Sequence, residues 1–211
     1  MSKNWIDVSV PLCTGMVHWP TDPPVRIERF ADMDKGAVCN VSRVDMCAHV
    51  GTHMDGLNHF IKDGAPLDTV PFDALIGPCR VIEIKDGDSV KPAELMKHKL
   101  RQGERILLRT PNSKRPWWEA DFDPKFVHIS KEAARHMVDC AIRTIGVDYL
   151  SVGGYQRDGV ECHQILLGAG IWVIEGLNLT KVRAGKYEII CLPVKIRHGD
   201  GAPARAILRK R

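Results

Sequence analysis

Three histidines and one aspartate fall within the run His49-Val50-Gly51-Thr52-His53-Met54-Asp55-Gly56-Leu57-Asn58-His59. The whole chain has nine histidines, so a third of them sit in this one segment. Imidazole nitrogens with a carboxylate suit Zn2+, Mn2+ or Fe2+. Such an ion can lower the pKa of bound water from 15.7 to roughly 7, which makes hydroxide available at neutral pH. Metal-assisted hydrolysis is therefore the chemistry this set of residues could do.

The spacing restricts how the segment can fold. Positions 49, 53, 55 and 59 would all face one side of a strand. At ~3.3 Å per residue, however, a strand would put His49 and His59 about 33 Å apart. A helix would bring 49 and 53 together at i, i+4 but swing Asp55 some 80° off that stripe. Neither element works throughout, so the segment must fold back, and Gly51 and Gly56 supply the freedom to do so. The expectation is a strand through Val41–Met46 that breaks into a turning loop carrying the ligands. Three His and one Asp could complete a site for one ion. Two further groups are candidates: His163, in the helical stretch 158–167, and Glu175, which ends the apolar run Ile171-Trp172-Val173-Ile174-Glu175. A carboxylate closing a buried strand is costly unless paired or metal-bound. The plainer alternatives are a partly exposed helical His and a salt-bridged Glu.

The elements that must hold these groups read as short strands with few helices. Strand-type runs occur at Ile6–Val10, Val41–Met46, Arg80–Ile84, Arg105–Arg109, Ile145–Val147, Ile171–Ile174, Glu188–Leu192 and Ala204–Leu208. Several are continuously apolar, as strands covered on both faces are. Helices are expected from Ser130, a capping residue, to Val138, from Pro92 to Leu100, and from Val160 to Leu167 with Gly168 and Gly170 beyond it. The pattern is α/β with a mostly β core, as a single domain over 1–211 in which residues 1–30 are partly an extended arm around Pro20-Thr21-Asp22-Pro23-Pro24.

Composition narrows the function classes. The 211 residues are 44% hydrophobic and 27% charged, ordinary for a globular protein. A formal charge of +4 is mild, and its basic residues are not interleaved with aromatics as in a nucleic-acid binder. No apolar run reaches the ~18 residues of a membrane span, and the N-terminus lacks a signal-peptide core, so a cytoplasmic location is expected. The seven cysteines are scattered without a C-x-x-C pair, which indicates neither a disulfide framework nor a zinc ribbon.

The central run also resembles the cyclase-like metal-dependent hydrolases, which include bacterial kynurenine formamidase and isatin hydrolase. Their signature H-x-G-[TA]-H-x-D-x-x-x-H-[FY] is intact from His49 to Phe60. The similarity extends through Trp19-Pro20-Thr21-Asp22, Gly146-Val147-Asp148, His163, Glu175-Gly176 and Pro203-Ala204-Arg205-Ala206. The resemblance implies a swivelling β/β/α domain assembled as a homodimer or homotetramer, acting on a small-molecule substrate with no nucleic-acid or membrane partner. It implies two divalent metal ions, Zn2+ with Mn2+ as the alternative. His49, His53 and Asp55 would hold the first; Asp55 would bridge to the second, held also by His163 and Glu175. His59 would be the free proton donor and acceptor, and Trp19 would line the substrate pocket. Two stretches depart from the formamidase pattern. Leu57 replaces a usual Pro, and 148–155 (Asp-Tyr-Leu-Ser-Val-Gly-Gly-Tyr) replaces Asp-x-x-Ser-x-Asp. The expected activity is hydrolysis of a small aromatic amide such as N-formylkynurenine.

Other readings have their own signatures. A hydrolase of cyclic amides, lactones or imides would prefer ring substrates over formyl-anilides. A Cys–His hydrolase would resist chelators. A metal-stabilised binding module would have a closed coordination shell, and a nucleic-acid module would bind oligonucleotides in a salt-sensitive way. H-E-x-x-H is absent from the sequence, which removes the common metalloprotease reading.

Overall fold

The structure, a computed structural model, describes residues 4–211. Twelve strands and four α-helices alternate along these residues: β1 (Trp5–Asp7), β2 (Arg26–Ala31), β3 (Val41–Asp45), β4 (His53–Asp55), α1 (Phe72–Leu75), β5 (Ile76–Glu83), β6 (Ser89–Val90), α2 (Pro92–Met96), β7 (Arg105–Arg109), β8 (His128–Ile129), α3 (Lys131–Asp139), β9 (Thr144–Val147), α4 (Gly159–Gly168), β10 (Trp172–Glu175), β11 (Gly185–Pro193) and β12 (Gly201–Lys210).

Seven of the strands close on themselves in the order β12-β11-β5-β7-β9-β10-β4, and β4 pairs back onto β12. The result is a barrel-like sheet, with β1 added along the outer end of β12. β2 and β3 form a separate antiparallel hairpin, and β6 and β8 a short parallel pair. The closure explains the apolar strand sequences. In β7, Leu107 joins a cluster with Met54, Val81, Ile174, Ile189, Ala206 and Leu208, contributed by six strands of the ring. Its neighbours Ile106 and Leu108 face the other way, into a cluster with Leu95 of α2, Met137 of α3 and Leu166 of α4. Each such side chain is worth roughly 1.5–3 kcal/mol when buried, so both faces of these strands select apolar residues.

The eight strands expected from the sequence are all present, Arg105–Arg109 with the expected bounds and the others with ends that shift by up to four residues. α3 is capped as expected, the Ser130 hydroxyl accepting from the Ala133 N–H at 3.2 Å. α2 is shorter than expected and stops at Met96; Lys99 takes a left-handed φ of 48°, which no helix continues through. The larger correction concerns the ligand segment. It is not a loop throughout: His53–Asp55 is a fully buried strand, β4, and the fold-back expected of the segment occurs on either side of it. Short-range pattern could not show this, because three residues are too few to display a period.

Candidate metal centre

β4 lies between β10 and β12, antiparallel to both, with His53 opposite Glu175 and Asp55 opposite Val173 and Gly201. Alternation along the strand sends Met54 into the barrel interior and puts His53 and Asp55 together on the opposite face. That face is the one covered by α4, since Val173 packs there with Cys162, Leu166 and Leu167. Glu175, directly across from His53, shares it. His163 comes down onto the same spot from α4. One strand, its neighbour and one helix thus bring residues 53, 55, 163 and 175 together.

The approach to β4 is built on close backbone packing. Gly51 has φ +62° and Gly176 has φ +69°. A Cβ on Gly176 would overlap the Gly51 carbonyl oxygen at 1.9 Å. Between them, the Thr52 hydroxyl donates to Gly176 O at 2.6 Å and accepts from Val10 N–H at 2.9 Å. Gly51 is therefore the bend that the sequence required. Gly56 instead keeps an extended backbone, φ −74° and ψ 153°.

Two of the histidines present the same tautomer logic. His53 Nδ1 lies 3.0 Å from the Gly51 carbonyl and His163 Nδ1 lies 2.6 Å from the Gly159 carbonyl. A carbonyl only accepts, so both Nδ1 atoms carry the proton, and in the neutral ring Nε2 is a lone pair. His53 Nε2 faces Glu175 Oε2 at 3.1 Å and Asp55 Oδ1 at 3.6 Å. His163 Nε2 faces Glu175 Oε1 at 3.3 Å and Asp55 Oδ2 at 3.9 Å. The separation of 3.1 Å at His53 is close enough for an ion pair, yet Nε2 and Asp55 Oδ2 are both buried without a hydrogen-bond partner. Lone pairs aimed at buried carboxylates repel unless a proton or a cation stands between them.

No Lys or Arg pairs with Asp55 or Glu175 among the described residues; their ion-pair partners are all histidines. Burial alone would raise the Glu175 pKa, but the neighbouring imidazoles of His163 and His53 outweigh it and hold the carboxyl below the usual range. Burial disfavours a charged His49, yet its bonds to Asp55 (3.0 Å) and Asp200 (3.0 Å) carry its pKa up to about 9. The site favours positive charge. His59 behaves in the opposite way: burial, reinforced by His49 and His163, lowers its pKa against the pull of Asp55 and Glu175. Its ring stacks on His49 with centroids 3.8 Å apart.

Side-chain donors gather into two sets within metal-ligating reach: His49, Asp55 and His59, and His53, Asp55 and Glu175. Asp55 is common to both. This grouping by proximity differs from the one the resemblance implies, in which His53 joins His49 and His59 stays free. Imidazole and carboxylate donors in a buried cluster without a competing cation fit divalent metal ions.

A cavity of about 520 Å3 opens onto the cluster. Its wall includes Trp19, Phe60, Ser151 and Gly154, with His49, His59, His163, Glu175 and Asp200 at its base and rim. Trp19 is held edge-on by Phe122, Phe126 and Tyr155; of the site residues expected from the sequence, Trp19, His49, His59, His163 and Glu175 line this space, while His53 and Asp55 lie fully buried behind it. The stretch 148–155 that departs from the formamidase pattern supplies part of that wall. A larger cleft of about 720 Å3 lies elsewhere, by Arg80, Arg101 and Lys186, but no histidine lines it; the donor set picks out the smaller cavity. Cys47 also lines the pocket, and burial raises its thiol pKa, which disfavours a thiolate nucleophile. Cys162 is buried with its thiol 3.8 Å from Val152 O and belongs to neither donor set.

Asp200 was not foreseen. It lies 151 positions from His49 in sequence, and the sole local hint was its place between Gly199 and Gly201. No helix among the described residues is long and apolar enough to cross a membrane.

Residues 6–153 match the family model described as putative cyclase. The kynurenine formamidase of Bacillus cytotoxicus is 33% identical over 208 residues, 99% of this chain and 98% of that protein. That of Bacillus anthracis is also 33% identical over 208 residues, with the same coverage. Among solved structures, a predicted metal-dependent hydrolase from Bacillus stearothermophilus superposes with a TM-score of 0.85 at 31% identity, covering 98% of each chain. Isatin hydrolase A from Labrenzia aggregata shares the fold, with a TM-score of 0.83 at 24% identity over 98% of this chain and 93% of that one.

Proposed function

The chain belongs to the putative cyclase family, and on that footing we propose that it is a metal-dependent hydrolase of a small aromatic amide, acting on a carbon–nitrogen bond other than a peptide bond. Kynurenine formamidases at 33% identity over nearly the full length support an arylformamidase activity, with N-formylkynurenine as the first substrate to test. The observation that carries the reading is the pair of buried carboxylates, Asp55 and Glu175, faced by histidine lone pairs and by no Lys or Arg, at the base of an aromatic-walled cavity.

In this reading His49, His53 and Asp55 hold one ion, and Asp55, His163 and Glu175 hold a second; Zn2+ is the first candidate and Mn2+ the alternative. When bound, such ions supply the Lewis acidity that makes water a nucleophile near neutral pH and polarises a carbonyl. The protein's own part is to place and protonate. Gly51 O and Gly159 O lock the tautomers of His53 and His163 so that Nε2 faces inward. Trp19, braced by three aromatic neighbours, offers a flat face for an aryl ring. His59, its pKa lowered by burial, takes a proton from the attacking water and delivers it to the leaving nitrogen. The reading also carries the family's swivelling β/β/α description and a cytoplasmic homodimer or homotetramer.

A chelator-stripped sample reloaded with Zn2+ or Mn2+ and assayed on formyl-anilides and on cyclic amides tests this directly. Metal-restored cleavage of formyl-anilides is the expected result. Preference for isatin-like lactams would move the substrate to the cyclic class, and activity that survives stripping would sink the metal-dependent reading.

A further inference from the structure

We propose that Asp200 is a positioning residue for the metal centre, orienting the His49 ring and fixing which of its nitrogens faces the cations. The proposal rests on His49 being a ligand. His49 Nε2 lies 3.0 Å from Asp200 Oδ2. Both ring nitrogens thus face a carboxylate; with Asp200 accepting from Nε2–H, a cation beside Asp55 displaces only the Nδ1 proton, and the ring then presents its lone pair at Nδ1. Nδ1 is the atom 3.0 Å from Asp55 Oδ1, on the side of the carboxylate common to both donor sets. The relationship is that of an outer-shell carboxylate holding a ligating imidazole.

Asp200 is itself held in place by the segment it serves. Its backbone carbonyl accepts from Gly56 N–H at 2.7 Å, which ties it to the end of β4. The next residue, Gly201, is in register with Asp55. A Cβ at Gly201 would lie 2.4 Å from His49 Cε1, so the ring rests directly on bare backbone there. His49 is thus bracketed by Gly201 beneath and the Asp200 carboxylate at its outer nitrogen. The Asp200 side chain is 58% exposed, which places its carboxylate at the cavity rim and not among the buried donors. The same Oδ2 is 4.0 Å from His59 Nδ1, so one oxygen adjoins both stacked rings.

The test measures Zn2+ affinity of metal-free protein by competition with a chromophoric chelator, for wild type, D200A, D200N, H49A and the H49A/D200A pair. Loss of an outer-shell partner costs roughly 10- to 100-fold in metal affinity, and D200A is expected to fall in that range. D200N, whose amide oxygen still accepts from Nε2–H, should recover most of the loss. Adding D200A to H49A should weaken binding no further, because the carboxylate acts through that ring. If D200A misfolds, D200S, too short to span the gap, takes its place. Wild-type affinity in D200A alongside a loss in H49A would overturn the proposal, as would an equal further loss in the H49A background. A wild-type protein that binds no Zn2+ would instead overturn the metal reading on which it stands.

Discussion

His53 and Glu175 stand directly opposite each other on antiparallel neighbours, with Nε2 and Oε2 3.1 Å apart and no hydrogen bond to Nε2. A ligand present at 100 times its Kd stabilises a fold by about 2.7 kcal/mol, and in a chain of 150–250 residues each kcal/mol moves Tm by roughly 2–4 °C. Zn2+ at that ratio is therefore expected to raise the wild-type Tm by about 5–11 °C. Glu175→Ala, which loses a ligand of the second ion only, should show a smaller rise. Scanning calorimetry with and without metal measures both, and an equal rise in the variant would remove Glu175 from the ligand set.

His59 and Asp55 should separate in their effects. Asp55→Ala is expected to strip bound metal, measured by elemental analysis. His59→Ala should keep most of the metal and lose 10²- to 10⁴-fold in turnover, the usual worth of a proton shuttle. Because His59 also sits within ligating reach of His49 and Asp55, metal loss in His59→Ala would make it a ligand and leave the shuttle to another group.

Trp19 should matter only for substrates with a ring. An aromatic contact is worth about 0.5–1.5 kcal/mol beyond its area, so Trp19→Ala should raise KM for a formyl-anilide roughly 2- to 12-fold. A formylated alkylamine should be nearly indifferent. Parallel KM measurements on the two substrates decide it, and an equal rise for both would reduce Trp19 to core packing.

Much of this site was legible in the sequence. The density of His and Asp in 49–59 named the chemistry, and the apolar run ending in Glu175 marked a carboxylate that needed a partner. The hidden parts depended on closure of the ring. β4 is a strand only because β10 and β12 flank it, and Asp200 meets His49 only because β12 returns beside β4. Phe122, Phe126 and Tyr155 carry no periodic signal; their common role is defined by contact with Trp19.

Asp148 gives a prediction on pH. It is fully buried, accepting from Thr110 N–H at 2.8 Å, the Thr110 hydroxyl at 2.7 Å and the Ser113 hydroxyl. Burial raises its pKa in spite of these three donors. A raised carboxyl binds its proton more tightly in the folded state, so its contribution is full below the unfolded value near 3.8 and shrinks as pH climbs through the folded value. Asp148→Asn replaces one acceptor oxygen with a donating NH2 that must face the Thr110 N–H or the Thr110 hydroxyl, and should cost about 1–3 kcal/mol. That cost should be largest in acid and smaller at neutral pH. Urea midpoints across pH would show it; a cost that grows with pH would reverse the sign.

The ring of strands is fastened by β4, whose three residues complete the circle between β10 and β12. Two of those three are proposed to grip the ions. Emptying the centre would then do more than stop turnover: it would leave the clasp of the barrel with like-charged carboxylates pressed together and only a few ladder bonds to restrain them. Amide protons at 53–55, 201 and 202 should exchange faster in stripped protein than those of β7, making the catalytic ion also the rivet of the shell.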